Sequence, residues 1–364
     1  MMRSNAVGLH RLRAHRLAGT RFTTPEEVVR WMGALQAQAY GQVVWAIGQR
    51  THAATLAQVE QAITERRILL TWPLRGTLHV VPTEDARWML RLSEPRTRRT
   101  AARRLTQLGL DEAILERCMT LFYDALHGGT RLTRAAMMTI LEEAGIPTTG
   151  QRGYHILWQA AQRGLICLGP MEGTQQTVVL LDEWVPASRV LSREEAVAEL
   201  ARRYFSSHGP ASVRDFAGWA GLTLTEARSG LDAVRSEFVS RTIDTIDYWM
   251  SSAVVDSPVP DAPSIVLLPG FDEYVLGYKD RSDVLAPEHA AKIVPGNNGI
   301  FLPALVVGGH IVGTWTRRRT TTALGLTLRP FTPLAAPQES IAATAQRYSD
   351  FLGVPVTSID VADA

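Results

Sequence analysis

The sequence has almost no cysteine. Cys118 and Cys167 are the only two, too few for a disulfide framework or a four-cysteine zinc site. Both stand in apolar runs, "LERCMTLF" and "GLICLGP", which predicts buried thiols in a reducing cytoplasm. Lysine is equally scarce: Lys279 and Lys292 are the only two among 38 basic residues, so 36 are arginine. No apolar run approaches the ~20 residues that cross a bilayer, so no membrane association is expected. The N-terminal "MMRSNAVGLHRLRAHRL" is basic but lacks an apolar core, and no secretory signal is expected. Several enzyme signatures are missing as well. There is no GxxxxGK[ST] loop and no GxGxxG behind a strand, so no nucleotide cofactor is expected. The nine histidines form no HExxH or similar pairing, so no metal is expected, and no GxSxG elbow occurs.

What remains is a globular chain of 364 residues, 46% hydrophobic and 20% charged, long enough for two to four small domains. Its net charge is only +2, but the charge is unevenly spread. Residues 87–104, "RWMLRLSEPRTRRTAARR", carry seven arginines against one acid, Glu94. A second cluster is Arg317, Arg318 and Arg319 in "TWTRRRT". A GC-rich genome accounts for much arginine, and charge runs commonly form solvated helix faces. Arginine also forks onto phosphates and base edges, so two dense patches on a near-neutral chain point to a polyanion.

The pattern of elements predicts an α+β chain. "TTPEEVVRWMGAL" has a Thr cap, a first-turn Pro, acids and then an apolar stripe, which predicts a helix. "ATLAQVEQAITERRIL" reads as a second helix, "GTLHVVP" as a strand and "TEDARWMLRLSEPR" as a third helix. Residues 111–186 then give three helices followed by a β-hairpin, the winged helix-turn-helix plan. The same order returns at 187–255. The Pro-rich "SPVPDAPS", residues 257–264, predicts a linker. Beyond it the chain is β-rich, with a hairpin turning at Gly308-Gly309 and a last helix in "PQESIAATAQRYSDFLG". The expected division is 1–110, 111–186, 187–255 and 256–364.

Three constellations can carry chemistry. "FDEYVLGYKDR" offers Asp272, Glu273 and Asp280. They can activate water, or knit a strand end to Arg281. "WPLRGTLHVVP" offers Arg75 and His79, which share a face if both lie in one strand. "LQAQAY" offers Gln36 and Gln38, which share a side if the segment is extended, with Ala37 turned inward. Each also has a purely structural reading: a knitted turn, a core histidine, two surface glutamines.

These residues together resemble the AlkZ-like family of bacterial winged-helix DNA glycosylases, the azinomycin-resistance type. The likeness rests on "LQAQ", "RGTLHVV", "LLPGFDEYVLGYKDR" and "GHIVGTWTRRR" and runs over nearly the whole chain. It implies three tandem winged-helix units in a C-shaped scaffold around DNA. It also implies a catalytic Gln-apolar-Gln motif, here Gln36-Ala37-Gln38. A sister branch has Asp at the second polar position, so Gln38 places the chain nearer the AlkZ branch. The implied activity is monofunctional removal of N7-alkylguanine from double-stranded DNA, bulky natural-product lesions and interstrand cross-links included. No lysine lies near the glutamines in sequence, against a Schiff-base lyase step. Gln38 is expected to orient water and Gln36 to support the developing charge, or the reverse. DNA contacts are expected from Arg75, His79, Arg98, Arg99, Arg317, Arg318 and Arg319, and the protein is expected to act as a monomer. Competing expectations are a DNA-binding regulator without catalysis and a resistance protein that sequesters drug or lesion.

Overall fold

A computed structural model describes residues 6–255, 265–334 and 336–362. The predicted linker at 257–264 lies outside the described residues. Contacts group the chain into two units, one of residues 1–59 with 197–364 and one of residues 60–196. The chain leaves the first unit after Val59 and returns at Val197, so the segment 1–110 contributes to both.

In the unit of residues 60–196, five strands lie in the order His79–Pro82, Ile68–Thr71, Ile166–Glu172, Gln175–Leu180, Leu132–Thr133. Helices Glu112–Leu126, Arg134–Glu143 and Arg152–Gln162 pack a core of Phe122, Leu126, Met137, Leu141, Ile156 and Ile166. The expected three helices and hairpin of 111–186 are present. Residues between the first two helices also join the hairpin, Leu132 opposite Val178 and Thr133 opposite Thr177.

Two expectations fail in this unit. The helix read through "ITERRIL" stops at Thr64, Arg66 turns into the left-handed region at φ 63°, and Ile68–Thr71 is a fully buried strand. The helix read as ending after Pro95 instead runs from Ala86 to Gln107 with Pro95 inside it. Its buried Trp88, Met89, Leu90, Thr97 and Ala101 continue on both sides of the proline, and packing outweighs the one lost backbone bond.

The other unit begins with helix Val7–Ala14 and helix Pro25–Met32. Thr24 and Glu27 cap the latter reciprocally, as the sequence signals. Helices Arg193–His208, Val213–Ala220 and Leu224–Val234 precede a hairpin, Val239–Ile243 with Ile246–Met250. Here too the stretch between the first two helices bridges the hairpin's second strand, Ala211 to Trp249. The repeat of element order therefore extends to this cross-link. Ser212 and Thr223 head capping boxes, and Gly221 ends the middle helix at φ 72°.

A five-stranded sheet follows, in the order Val356–Val361, Leu324–Pro330, His310–Arg319, Ala304–Val307, Ile265–Leu268. Only the Leu324–Pro330 and Val356–Val361 pair is parallel. Gly308 and Gly309 make the expected two-residue turn, both at positive φ, where glycine carries no steric penalty. Helix Gln338–Leu352 sends Tyr348 and Phe351 against Trp45. Strand Ile265–Leu268 ends before "FDEYVL", where Glu273–Leu276 is a helical turn capped by Asp272. Among the described residues no helix is long and apolar enough to cross a membrane.

Candidate functional site

Gly33 closes helix Pro25–Met32 at φ 78°, and the chain then runs extended through a two-residue strand, Leu35–Gln36. Alternation along it buries Leu35 and Ala37, at 1% and 2% exposure, and turns the two glutamines to the other side. Gln36 is nearly buried at 8%, whereas Gln38 is exposed. Gln36 Nε2 donates to Gln38 Oε1 at 2.7 Å, so the two carboxamides form one unit. Donation polarises the Gln36 amide and makes its own oxygen a stronger acceptor. Among the described residues no hydrogen bond engages Gln36 Oε1. The pair thus presents an amide oxygen with enhanced negative charge beside a second amide that reaches solvent. Such a pair can hold a water and stabilise a cation.

Beneath the pair lies a buried polar network. Glu273, 1% exposed, accepts the Gln36 backbone N–H at 2.9 Å through one oxygen and Trp219 Nε1–H at 3.0 Å through the other. His208 Nε2 stands 3.8 Å from that second oxygen. Ser207 Oγ donates to the Arg203 carbonyl, so at 2.7 Å from His208 Nδ1 it accepts that nitrogen's proton. Next door, Asp272 receives both ends of the Arg50 guanidinium, at 2.8 and 2.9 Å. Arg50 Nη2 also donates to His15 Nδ1 at 3.3 Å. His15 Nε2–H then donates to the Tyr278 oxygen at 2.9 Å, and that hydroxyl donates to the His208 carbonyl at 2.6 Å. Both ring nitrogens of His15 are thereby committed as the neutral tautomer. Burial first, then His208, Arg50 and Arg11, hold its pKa well below the usual histidine value. Burial also lowers His208, against an opposing pull from Glu273.

The structure therefore separates the readings of "FDEYVLGYKDR". Asp272 and Glu273 are buried acceptors that tie remote segments together, not water-facing bases. Asp280 accepts from Ser282 N at 2.9 Å and is kept below the usual carboxylate range by that bond. Arg281 spends its Nε on the Val275 carbonyl. The roles of Glu273, His208 and Trp219 escaped the sequence reading, because their partners lie far away in the chain.

The expected DNA contacts are placed unevenly. Arg75 and His79 do not share a strand face, which corrects the sequence expectation. Arg75 sits in a tight turn at φ 55°, exposed, next to Gly76 at φ 70°. His79 opens the strand His79–Pro82 fully buried, its Nδ1 2.8 Å from the Thr77 carbonyl. Arg98 and Arg99 lie exposed on helix Ala86–Gln107, with Glu94 at 3.8 Å from Arg98. Arg317, Arg318 and Arg319 end strand His310–Arg319 and are all exposed, but strand alternation sends Arg318 to the opposite face from the other two. Arg317 lies over the Tyr348 ring at 5.5 Å, and a β-carbon at Gly41 would stand 3.1 Å from its Nη2. Arg317 is therefore the one of the three beside the helix Tyr40–Gly48 that follows the glutamines.

Comparison with known proteins identifies the family and the fold. The model of the family "DNA glycosylase AlkZ-like" matches residues 29–351. A relative from Streptomyces sahachiroi, "Interstrand DNA cross-link repair glycosylase", is 26% identical over 307 residues, 79% of this chain and 81% of its own. The solved structure of the Streptomyces sahachiroi DNA glycosylase AlkZ superposes with a TM-score of 0.79 at 22% identity. That superposition covers 98% of this chain and 99% of the other. The chain belongs to the AlkZ-like family of DNA glycosylases.

Proposed function

We propose that the protein hydrolyses the N-glycosidic bond of N7-alkylguanine in double-stranded DNA, including bulky adducts and interstrand cross-links. The observation that carries this is the joined carboxamide pair of Gln36 and Gln38, one nearly buried and one exposed. N7-alkylguanine already bears a positive charge. When N9–C1′ breaks, its bonding electrons return to the ring and the base leaves as a neutral purine. No general acid is needed. The deoxyribose develops cationic character at C1′, water adds there, and its surplus proton passes to solvent. Gln36 Oε1 supports the cation and Gln38 orients the water. Losing one of two such positioned dipoles costs about 2–4 kcal/mol of barrier, by analogy with an oxyanion-hole donor.

The cross-link repair for which the Streptomyces sahachiroi relative is named supports the bulky-substrate part of this reading. The two repeats of helices and hairpin, 111–186 and 187–255, are proposed as winged-helix units of a C-shaped, monomeric scaffold. The exposed Arg75, Arg98, Arg99, Arg317, Arg318 and Arg319 are proposed as phosphate contacts. His79, being buried, supports the strand rather than touching DNA. The test is to incubate the protein with duplex DNA carrying N7-alkylguanine, heat in mild alkali and look for strand breaks at abasic sites. Binding without breaks favours a regulator or a lesion-sequestering protein.

A further inference from the structure

The segment Gly270–Glu273 touches the glutamine segment and its following helix at three successive points. Glu273 accepts from Gln36 N–H at 2.9 Å. Gly270 N–H donates to Gln42 Oε1 at 3.0 Å. Asp272 accepts from Gln49 Nε2 at 3.3 Å and takes the Arg50 fork. Three of these four neighbouring residues, Gly270, Asp272 and Glu273, thus clamp the start, first turn and end of the stretch 36–50. Phe271 between them stands in the left-handed region at φ 62°, and a β-carbon at Gly270 would come 2.8 Å from the Phe301 carbonyl oxygen. The clamp therefore has a fixed shape and little room to adapt.

We propose that Gly270–Glu273 is a brace that sets the glutamine pair, and that Glu273 is its positioning residue. The proposal rests on the function assigned above. Gln36 N–H and Trp219 Nε1–H are donors that cannot become acceptors, and they meet the two carboxylate oxygens separately. Only a carboxylate serves both. A glutamine at 273 has one acceptor oxygen and would aim its NH2 at one of the two donors. The strand then shifts to relieve the clash, and the Gln36 carboxamide moves with it. A small misplacement of this kind can cost up to about 100-fold in rate without touching the substrate.

The test is a double-mutant cycle of Glu273→Gln with Gln36→Ala, read by single-turnover base release and by duplex affinity. Glu273→Gln is expected to slow release about 10- to 100-fold with the Kd for alkylated duplex held within about threefold. In the Gln36→Ala background the same change is expected to cost less than about threefold, because the carboxamide that the brace positions is gone. Equal losses in both backgrounds, or a loss confined to Kd, overturn the brace. If Glu273→Gln does not melt cooperatively, Glu273→Asp is the second variant. It keeps two acceptors on a shorter stem, and a wild-type release rate there overturns the proposal. Amide hydrogen exchange of residues 35–38 gives a readout independent of catalysis, with protection at Gln36 expected to drop in either variant. A wild-type protein that releases no base sinks the function above, whereas unchanged exchange sinks the brace.

Discussion

Arg50 and Asp272 face each other across 222 positions of sequence as a two-pronged ion pair, both side chains at 0% exposure. A pair of this kind gains little over an apolar core, but removing one member strands the other charge. Asp272→Ala is therefore expected to lower the free energy of unfolding by about 3–5 kcal/mol. Urea denaturation measures it, and a loss below about 1 kcal/mol, the range of an exposed pair, would contradict the buried geometry.

Acid should weaken the same network before it weakens carboxylate pairs. His15 is buried neutral, its Nδ1 accepting from Arg50 and its Nε2–H donating to Tyr278. Its folded pKa lies well below the ordinary 6.5, held there first by burial and then by His208, Arg50 and Arg11. In the unfolded chain the ring protonates as pH falls through about 6.5. The unfolded state therefore binds the extra proton, and stability is lost from that pH downward until the folded ring titrates. Unfolding at pH 5.5 is expected to need less urea than at pH 7.5. Substituting His15 by Gln is expected to flatten the difference, and an unaltered slope would rule His15 out as its source.

The first helix is locked to the glycine turn of the hairpin. A β-carbon on Gly8 would stand 2.4 Å from the Gly309 carbonyl oxygen, and Tyr274 donates to both carbonyls there. Backbone meets backbone, so no side chain can move aside. Gly8→Ala is expected to cost about 1–3 kcal/mol through overpacking. Thermal melting that shows no drop would mean that the helix can shift away freely.

Local chemistry made some elements legible and left others hidden. Thr24, Pro25 and Glu27 announce one helix start, and Ser212 with Gly221 bracket another, because caps and left-handed glycines act within a few residues. The start of strand Ile68–Thr71 reads as helix because Ile68 and Leu69 continue the preceding apolar stripe and only Arg66 breaks it. The last strand, Val356–Val361, went unread. It has mostly exposed positions and owes its conformation to a parallel partner far from it in sequence. The glutamine pair was visible as spacing. Its support from Glu273 was not, since that bond spans 237 positions and no local pattern encodes it.

The exposed arginines make a prediction about salt. If Arg98, Arg99, Arg318 and Arg319 neutralise phosphates, each replacement by alanine should reduce the slope of log affinity against log salt by about one. Filter binding or anisotropy over a salt series reads it directly. Slopes identical to wild type for all four would assign these side chains to solvation alone. Arg317, held over Tyr348 beside Gly41, should also lose affinity for alkylated duplex when replaced.

Two neutral amides suffice because N7-alkylguanine is already cationic before the bond breaks and departs as a neutral purine. Base release from N7-alkylguanine duplex under single-turnover conditions tests it most directly, comparing wild type with Gln36→Ala, Gln38→Ala and the double replacement. Alkali-labile breaks are expected with wild type, with a loss of about 10²- to 10³-fold for each single change and no detectable release for the double. Release that continues at the wild-type rate without both amides would contradict it.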